Sequence, residues 1–372
     1  MSNQADDGEH PEMDHAGALR DPFDPRDEYY RPDPSLAIRP SVDLRVEHPD
    51  DNLPIYYQGA TNSCTANASA AALWYEERLG RHPAGWGEKG PSRLFIYWLA
   101  RSGSQEYREN VEDKGSFMRN AMKGIKTQGV CPEADCPFPG LELIDPRGMT
   151  PERLERKKAA VNRKPEPQAF ENALKHRVGK YKRLDADGPD EHQGVKPWDK
   201  DLTFDQKAAF GQYNLRMLRA CLSEGYPVAF SFWYYLLDDA MFRTTDGKKI
   251  LRDIWDEKEN LATGPFPQHT WVDRLKDPFR PKRNASYVRI GHSVLAVGYD
   301  DATQLILVRN SRGDTWGNGG YFYMPYAWIS DFAATNDFWT IRSVDEHPDE
   351  APVRWEQIHE EVVGKILAGE QA

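Results

Sequence analysis

The sequence predicts an α+β fold of two sub-domains, and the order of its elements is the main reason. Patterns typical of helices dominate the first half of the 372-residue chain, and apolar patterns typical of antiparallel strands dominate the second half. A chain that groups its helices and its strands separately is typical of α+β architecture. We therefore expect a helical N-terminal sub-domain packed against an antiparallel, barrel-like β sub-domain, with a cleft between them.

The helices of the first half are predicted from capping residues and helix-stopping residues. An alanine-rich helix is expected over 63–79, with Ser63 or Asn62 as its N-cap and Gly80 as its stop. Ser92 is the expected N-cap of a second helix. The remaining helices are predicted over 91–103, 115–129, 151–177 and 204–225.

The strands of the second half are predicted from apolar runs separated by turn residues. The first is the apolar run YPVAFSFWYY, residues 226–235. Four more follow a long polar segment, and short turns join them. They are predicted over 292–301, 305–313, 320–326 and 337–344.

The domain boundaries follow changes in composition along the chain. Residues 1–38 are acidic, rich in proline and without periodicity, which predicts a disordered tail. All remaining residues are assigned to one domain with two polar insertions. Its parts are a mainly helical half at 39–200 with an insertion at 137–200, a mainly β half at 201–345 with an insertion at 236–285, and a C-terminal amphipathic helix at 346–372.

The composition also limits the classes of partner that the chain is expected to bind. The formal net charge is -11, whereas binding to phosphate backbones requires basic clusters. The most basic stretch, residues 153–164, is predicted to be a solvated helix face. No segment approaches the roughly 20 apolar residues that span a membrane. We therefore expect neither a nucleic-acid nor a membrane partner.

The number of cysteines and the first residues of the sequence predict a cellular compartment, and the spacing of the cysteines is used to predict whether a metal is bound. Residues 1–17 carry no apolar run, which predicts no secretory signal, and four cysteines in 372 residues fit a reducing compartment. A cytoplasmic location is expected, with signal-independent export left open. Cys131 and Cys136 lack a second Cys/His pair at ligand spacing, so we expect no metal and no cofactor.

Cys64 is the first residue with an expected chemical role. It begins the alanine-rich helix, where unpaired N–H groups and a partial positive charge favour a thiolate. The thiolate is the nucleophilic form of cysteine. A lone cysteine is more often a small buried apolar residue. The interpretation as a nucleophile therefore depends on finding a base.

His292 and Asn310 supply the expected base and its orienting group. His292 begins the apolar strand HSVLAVGYDD, and Asn310 ends the next strand. Adjacent antiparallel strands would place these two side chains together, so that the amide oxygen of Asn310 fixes the imidazole. Gln58, six residues before Cys64, would form a two-donor oxyanion hole with the backbone N–H of Cys64.

Three blocks of sequence resemble the signature blocks of the papain-like cysteine peptidases of family C1. They are QGATNSCTANASAAAL, RIGHSVLAVGYDD and LVRNSRGDTWGNGGYFYMPY. The first resembles the bacterial branch most, in which the pattern is Q-G-x-x-x-S-C-T-A. The resemblance implies a papain-like fold with the active site in the cleft between its sub-domains. It assigns Cys64 as nucleophile, His292 as general base and acid, Asn310 as orienter and Gln58 as oxyanion donor.

The resemblance also suggests substrate-binding residues. EDKGSF at 112–117 is similar to the family's glycine-containing loop that binds substrate backbone, which makes Gly115 a candidate. Gly291, beside His292, is a second candidate, and Trp316 is a third. Arg312 stands where the family has a tryptophan that shields the His–Asn contact. We expect Trp316 to take over that shielding.

The predicted function is hydrolysis of peptide bonds through a Cys-His-Asn thiolate mechanism and an acyl-enzyme intermediate, with a peptide or protein as substrate. Two alternatives stay open. In the first, an amine replaces water or an isopeptide is the target, which gives an acyl transferase or isopeptidase. In the second, Arg312 has weakened the catalytic pair and the chain is a peptide- or partner-binding scaffold. The sequence identifies no protein inhibitor or regulatory partner.

Overall fold

The computed structural model describes most of the segments for which helices and strands are predicted. The described residues are 17–22, 24, 26–47, 53–79, 85–102, 111–185, 204–235, 242–251, 255–256, 261–262, 289–331 and 334–342. The helices are α1 (Leu44–Glu47), α2 (Cys64–Arg78), α3 (Arg93–Ser102), α4 (Met118–Gln128), α5 (Leu141–Ile144), α6 (Pro151–Asn162), α7 (Pro167–Ala173), α8 (Phe204–Ser223) and α9 (Tyr326–Ile329). The strands are β1 (Ala18–Leu19), β2 (Ser41–Asp43), β3 (Ser116–Phe117), β4 (Lys180–Arg183), β5 (Val228–Tyr235), β6 (Phe242–Thr245), β7 (Lys248–Leu251), β8 (Trp255–Asp256), β9 (Leu261–Ala262), β10 (Arg289–Asp300), β11 (Leu305–Arg309), β12 (Tyr321–Pro325) and β13 (Thr335–Arg342).

One large sheet forms the β half. Its strand order is β4-β13-β5-β10-β11-β12-β7-β6, and β2 also pairs with β10. Neighbouring strands are antiparallel except β12 and β7, which are parallel. The predicted α+β, papain-like fold is confirmed. The barrel-like closure is not found among the described strands, because β4 and β6 end the path at opposite edges of the sheet.

Helix α2 is the central helix of the helical half. Every residue from Cys64 to Glu76 is buried, and the run of alanines lets neighbouring elements approach its backbone closely. Helices α3 and α4 pack on one side of it and β10 packs on another. Its N-terminus is thereby held against the strand that carries His292.

The predicted helix caps have mixed outcomes. The hydroxyl of Ser92 accepts a hydrogen bond from the backbone N–H of Phe95 at 3.1 Å, which confirms Ser92 as a cap. Ser63 is at the N-cap of α2, but its side chain makes no capping hydrogen bond. The side-chain amide of Asn67 instead donates to the carbonyl and hydroxyl oxygens of Ser63, each at 2.9 Å.

The insertion predicted at 137–200 contributes to both halves. The single helix expected over 151–177 is divided into α6 and α7, because prolines at 165 and 167 interrupt the pattern and Pro167 begins α7. Strand β4 follows and pairs antiparallel with β13 at the edge of the large sheet. Residues 180–183 are therefore part of the sheet rather than of the helical half.

The described part of the predicted tail, residues 17–22, 24 and 26–38, makes backbone and side-chain contacts with the domain. Strand β1 pairs with β3, and Asp21 accepts hydrogen bonds from the backbone N–H of Arg119 and the indole of Trp339. Asp27 is buried against the guanidinium of Arg119. Apolar periodicity does not detect a segment that is held by backbone pairing and buried ion pairs.

Some predicted parts lie outside the described residues. They are the C-terminal helix at 346–372 and most of the insertion at 236–285, of which the structure describes β6, β7, β8 and β9. None of the described helices combines the length and the apolar character that crossing a membrane requires.

Candidate active site

The Cys64 side chain lies at the N-terminus of α2 and is fully buried. Burial raises the pKa of its thiol to about 12. Hydrogen bonds from the backbone and the hydroxyl of Ser293, and from the backbone N–H groups of Thr65 and Cys64, act in the opposite direction. Ser293 directly follows His292, so the sulfur lies against the same stretch of β10. The helix N-terminus alone therefore does not produce the lowered pKa that the sequence suggested.

His292 and Asn310 come together as predicted from the strand order. Leu295 of β10 pairs with Arg309 of β11, and Asn310 follows that pair directly. His292 Nε2 lies 2.8 Å from the side-chain oxygen of Asn310, and both residues are buried. An amide oxygen only accepts, so this contact assigns the proton to Nε2 and leaves Nδ1 as the basic nitrogen.

Gln58 is held in place by the residue after Asn310. Its Oε1 accepts a hydrogen bond from the hydroxyl of Ser311 at 2.6 Å, and its backbone N–H donates to the carbonyl of Ser311 at 2.9 Å. Its Nε2 donates to the carbonyl of Thr61 at 2.9 Å. The amide group is therefore oriented from both sides, next to the loop that leads into Cys64.

A row of aromatic side chains leads away from the imidazole, beginning with Phe232. Phe232 is paired with His292 across β5 and β10, and its ring meets the imidazole edge-on at 5.7 Å. Phe322 connects Phe232 to Trp316, with ring centroids 6.2 Å and 5.7 Å apart respectively. Trp316 thus reaches the imidazole through two phenylalanines. The guanidinium of Arg312 lies 5.9 Å from the centre of the Trp316 ring.

Gly115 and Gly291 lie on opposite sides of the N-terminal segment, defined here as residues 17–22. A Cβ on Gly115 would overlap the carbonyl oxygen of Gly17, and a Cβ on Gly291 would overlap that of Ala18. A Cβ on Gly17 would overlap the carbonyl oxygen of Asn62. The groove between these two candidate substrate-binding glycines is therefore occupied by this segment.

The sequence reasoning did not single out three residues that the structure places here: Phe232, Ser293 and Ser311. Ser293 and Ser311 each follow a predicted catalytic residue directly, so proximity was the available signal. Phe232 required the pairing of β5 with β10, which separates it from His292 by 60 positions along the chain.

No described group of three or more His, Cys, Asp or Glu residues is arranged to hold a metal ion. Cys131 and Cys136 are buried free thiols. Burial raises the pKa of Cys136 to about 11 and raises that of Cys131 as well, which favours their neutral forms.

Comparisons with known proteins agree with this geometry. A model of the papain family of cysteine proteases matches residues 279–332, the part that contains His292 and Asn310. An uncharacterized peptidase C1-like protein of Acanthamoeba polyphaga mimivirus is 27% identical over 291 residues, which are 78% of this chain and 70% of that protein.

Solved structures of cysteine proteases are also similar to this chain. The crystal structure of xylellain, a cysteine protease from Xylella fastidiosa, is similar with a TM-score of 0.58 and 29% identity, covering 90% of this chain and 97% of that chain. A procathepsin B from Trypanosoma congolense shares the fold, with a TM-score of 0.51 and 14% identity over 88% of this chain and 86% of that chain.

The fold, the site and these similarities define a papain-like cysteine peptidase. The chain is similar to papain-family cysteine proteases, and its likeness to xylellain agrees with the bacterial-type branch that the pattern around Cys64 suggested.

Proposed function

We propose that the chain hydrolyses peptide bonds with Cys64 as nucleophile, His292 as base and acid, and Asn310 as the residue that orients His292. The observation that supports this most strongly is the 2.8 Å contact between His292 Nε2 and the Asn310 oxygen. It lies on the strand against which Cys64 is packed. A nucleophile next to a base that is itself oriented is the arrangement that covalent catalysis needs.

The proton balance follows from the state of the sulfur. Because burial raises the pKa of the Cys64 thiol to about 12, the proposed reaction starts from the neutral thiol. In the proposed reaction, Nδ1 of His292 takes the thiol proton as the sulfur attacks the peptide carbonyl. The resulting imidazolium then protonates the leaving amine, and a thioester to Cys64 remains. A water molecule gives a proton to Nδ1 as it attacks the thioester. When the acid leaves, the imidazolium returns that proton to the sulfur and restores the thiol.

The oxyanion of each tetrahedral intermediate is assigned to two donors. One is the backbone N–H of Cys64. Cys64 is the first residue of α2, where the helix dipole is positive. The other is the side-chain amide of Gln58, whose direction is set by Ser311 and Thr61. Preoriented donors of this kind stabilise the transition state more than the ground state.

The proposed substrate is an extended segment of a peptide or protein. Gly115 and Gly291 allow a backbone to approach both walls of the groove, as residues 17–18 of the chain itself do. In the proposal, a substrate backbone takes the place of the N-terminal segment. The net charge of -11 supports a protein rather than a nucleic-acid partner.

Cleavage of a peptide library by Cys64→Ala and wild type tests the proposal. We expect Cys64→Ala to lose at least about a thousandfold in kcat/KM. Cys221→Ala, which removes another fully buried thiol, should keep its activity. Product masses should show added water, and added amine would indicate an acyl transferase instead. Turnover that persists in Cys64→Ala would contradict the proposal.

A further inference from the structure

Lys157 is a buried lysine on an insertion helix, next to the loop that leads into Cys64. It belongs to α6, and its side chain is only 5% exposed. Its ammonium donates a hydrogen bond to the carbonyl oxygen of Ala60 at 2.5 Å. A buried ammonium is costly unless it is paired and hydrogen-bonded, so its position calls for an explanation.

Asp113 is the charge partner of Lys157, and it belongs to the loop of the candidate substrate-binding residue Gly115. Its Oδ2 lies 3.2 Å from the ammonium. Its Oδ1 accepts from the backbone N–H of Asn62 at 2.9 Å, and its carbonyl accepts from the Asn62 side chain at 2.8 Å. Lys157 and Asp113 therefore join the loop before Cys64 to the loop that contains Gly115.

The same network continues to Gly115 itself. The hydroxyl of Tyr97 donates to Asp113 Oδ1 at 2.7 Å and accepts from the backbone N–H of Gly115 at 3.2 Å. Ala60 is held from a second side, because its N–H donates to the carbonyl of Ile144 in α5 at 2.6 Å. The backbone N–H and the carbonyl of Ala60 are thus both hydrogen-bonded to residues of the insertion, Ile144 and Lys157.

The Thr61–Asn62 peptide connects this network to the oxyanion hole, because Asp113 accepts from its N–H. The carbonyl of Thr61 is the acceptor for Gln58 Nε2, at 2.9 Å. If Lys157 no longer held the Ala60 carbonyl and Asp113, residues 60–62 would be able to shift, and the Thr61–Asn62 peptide would carry the partner of Gln58 with it. Displacements of about 1 Å at a site can cost about a hundredfold in rate.

We propose that Lys157 is a positioning residue for the peptidase reaction. Its ammonium fixes the Ala60 carbonyl and Asp113, and so keeps Gln58 and the backbone N–H of Cys64 in the geometry that binds the oxyanion. The proposal rests on the function proposed above. Replacing a buried ion pair by apolar residues is often neutral for stability, so stability alone gives no reason for this pair.

The test compares Lys157→Met with Lys158→Met in the full chain. Methionine keeps most of the lysine stem, and Lys158 is the adjacent residue with a half-exposed side chain. For Lys157→Met we expect kcat to fall by about tenfold to a hundredfold, with KM within about twofold. Lys158→Met should match wild type. An unchanged kcat in Lys157→Met would overturn the proposal.

Two further measurements separate positioning from loss of fold. A peptide aldehyde forms a hemithioacetal whose oxygen occupies the oxyanion hole, whereas alkylation by iodoacetamide does not use that hole. We expect Lys157→Met to weaken aldehyde binding about as much as kcat and to leave the alkylation rate of Cys64 within about twofold. Parallel losses in both measurements would indicate a general structural defect and would overturn the proposal.

A double variant covers the case in which Lys157→Met does not fold. Lys157→Met/Asp113→Asn removes both charges and leaves no unpaired carboxylate. We expect its thermal midpoint to return towards wild type while kcat stays low, because the donor to Ala60 is still missing. Recovery of kcat together with stability would overturn the proposal. If Cys64→Ala also kept turnover, the proposed function itself would be wrong.

Discussion

The carbonyl oxygen of Gly17 accepts a hydrogen bond from the backbone N–H of Ser116 at 2.9 Å, one residue past Gly115. The N-terminal segment is thereby paired with the strand that follows the candidate substrate-binding loop. Ala18 lies against Gly291 at the opposite wall of the groove. Substrate and segment are therefore expected to compete for the same space.

Gly17→Val is expected to raise peptide turnover. Gly17 has a φ of +76°, which disfavours a β-branched residue, and any Cβ there would overlap the Asn62 carbonyl. The valine should displace residues 17–19 from the groove, and kcat/KM measured with a short peptide should rise several-fold. Gly148→Val is the matched control, because Gly148 has a φ of +67° and open space around it. Equal or lower activity in Gly17→Val would show that the segment does not block the groove.

Asp27→Ala is expected to destabilise the fold. Its carboxylate binds Arg119 Nε at 2.8 Å and lies 3.3 Å from the guanidinium of Arg183. Removing one member of a buried ion pair leaves uncompensated charge and typically costs about 3–5 kcal/mol. Urea unfolding measures the loss. The ion pair of Asp145 with the exposed Arg147 supplies the control, since Asp145→Ala should cost no more than about 1 kcal/mol.

Much of the site was predictable because its residues lie next to strong local patterns. Cys64 begins an alanine-rich helix. His292 and Asn310 lie on consecutive apolar strands, so the order of the strands was enough to predict the contact between these two residues. The N-terminal segment could not be predicted in this way. Its partners, Arg119 and Ser116, are about a hundred positions away, and its own residues have no periodicity.

Lys157 was missed for a different reason. Residues 153–164 are basic, and the sequence predicts a solvated helix face, which is wrong for Lys157 because its side chain is only 5% exposed. A lysine is buried only when a carboxylate and a carbonyl are already placed to receive it. Asp113 and Ala60 are 44 and 97 positions away, so only the folded chain shows the match.

Ser311→Ala is expected to lower kcat by about threefold to thirtyfold, with little change in KM. The lost hydroxyl donates to Gln58 Oε1 at 2.6 Å, and without it the side-chain amide of Gln58 is held only by its contact with the Thr61 carbonyl. Ser330→Ala removes a comparable hydroxyl contact, to the carbonyl of Tyr326 at 2.8 Å, and should have no effect on kcat. A change in KM alone would indicate that Ser311 acts on substrate binding instead.

The reactivity of Cys64 should depend steeply on pH. Because burial raises its thiol pKa to about 12, the thiolate fraction rises tenfold for each pH unit below that value. Alkylation of the native chain by iodoacetamide should therefore keep increasing from pH 7 to pH 10, after subtraction of the rate for Cys64→Ala. The alkylation rate of the urea-unfolded chain should instead level off as the pH passes the ordinary cysteine pKa of about 8.5. A plateau below pH 8 in the native chain would mean that the thiolate is already formed at rest.

Covalent labelling tests the central claim most directly. A peptidyl epoxide should modify the native chain at one cysteine, and peptide mapping by mass spectrometry should locate the adduct on Cys64. The adduct should be lost in His292→Ala, because the base that activates the sulfur is gone. Modification of Cys131, Cys136 or Cys221 with Cys64 untouched would contradict the assignment of the active site.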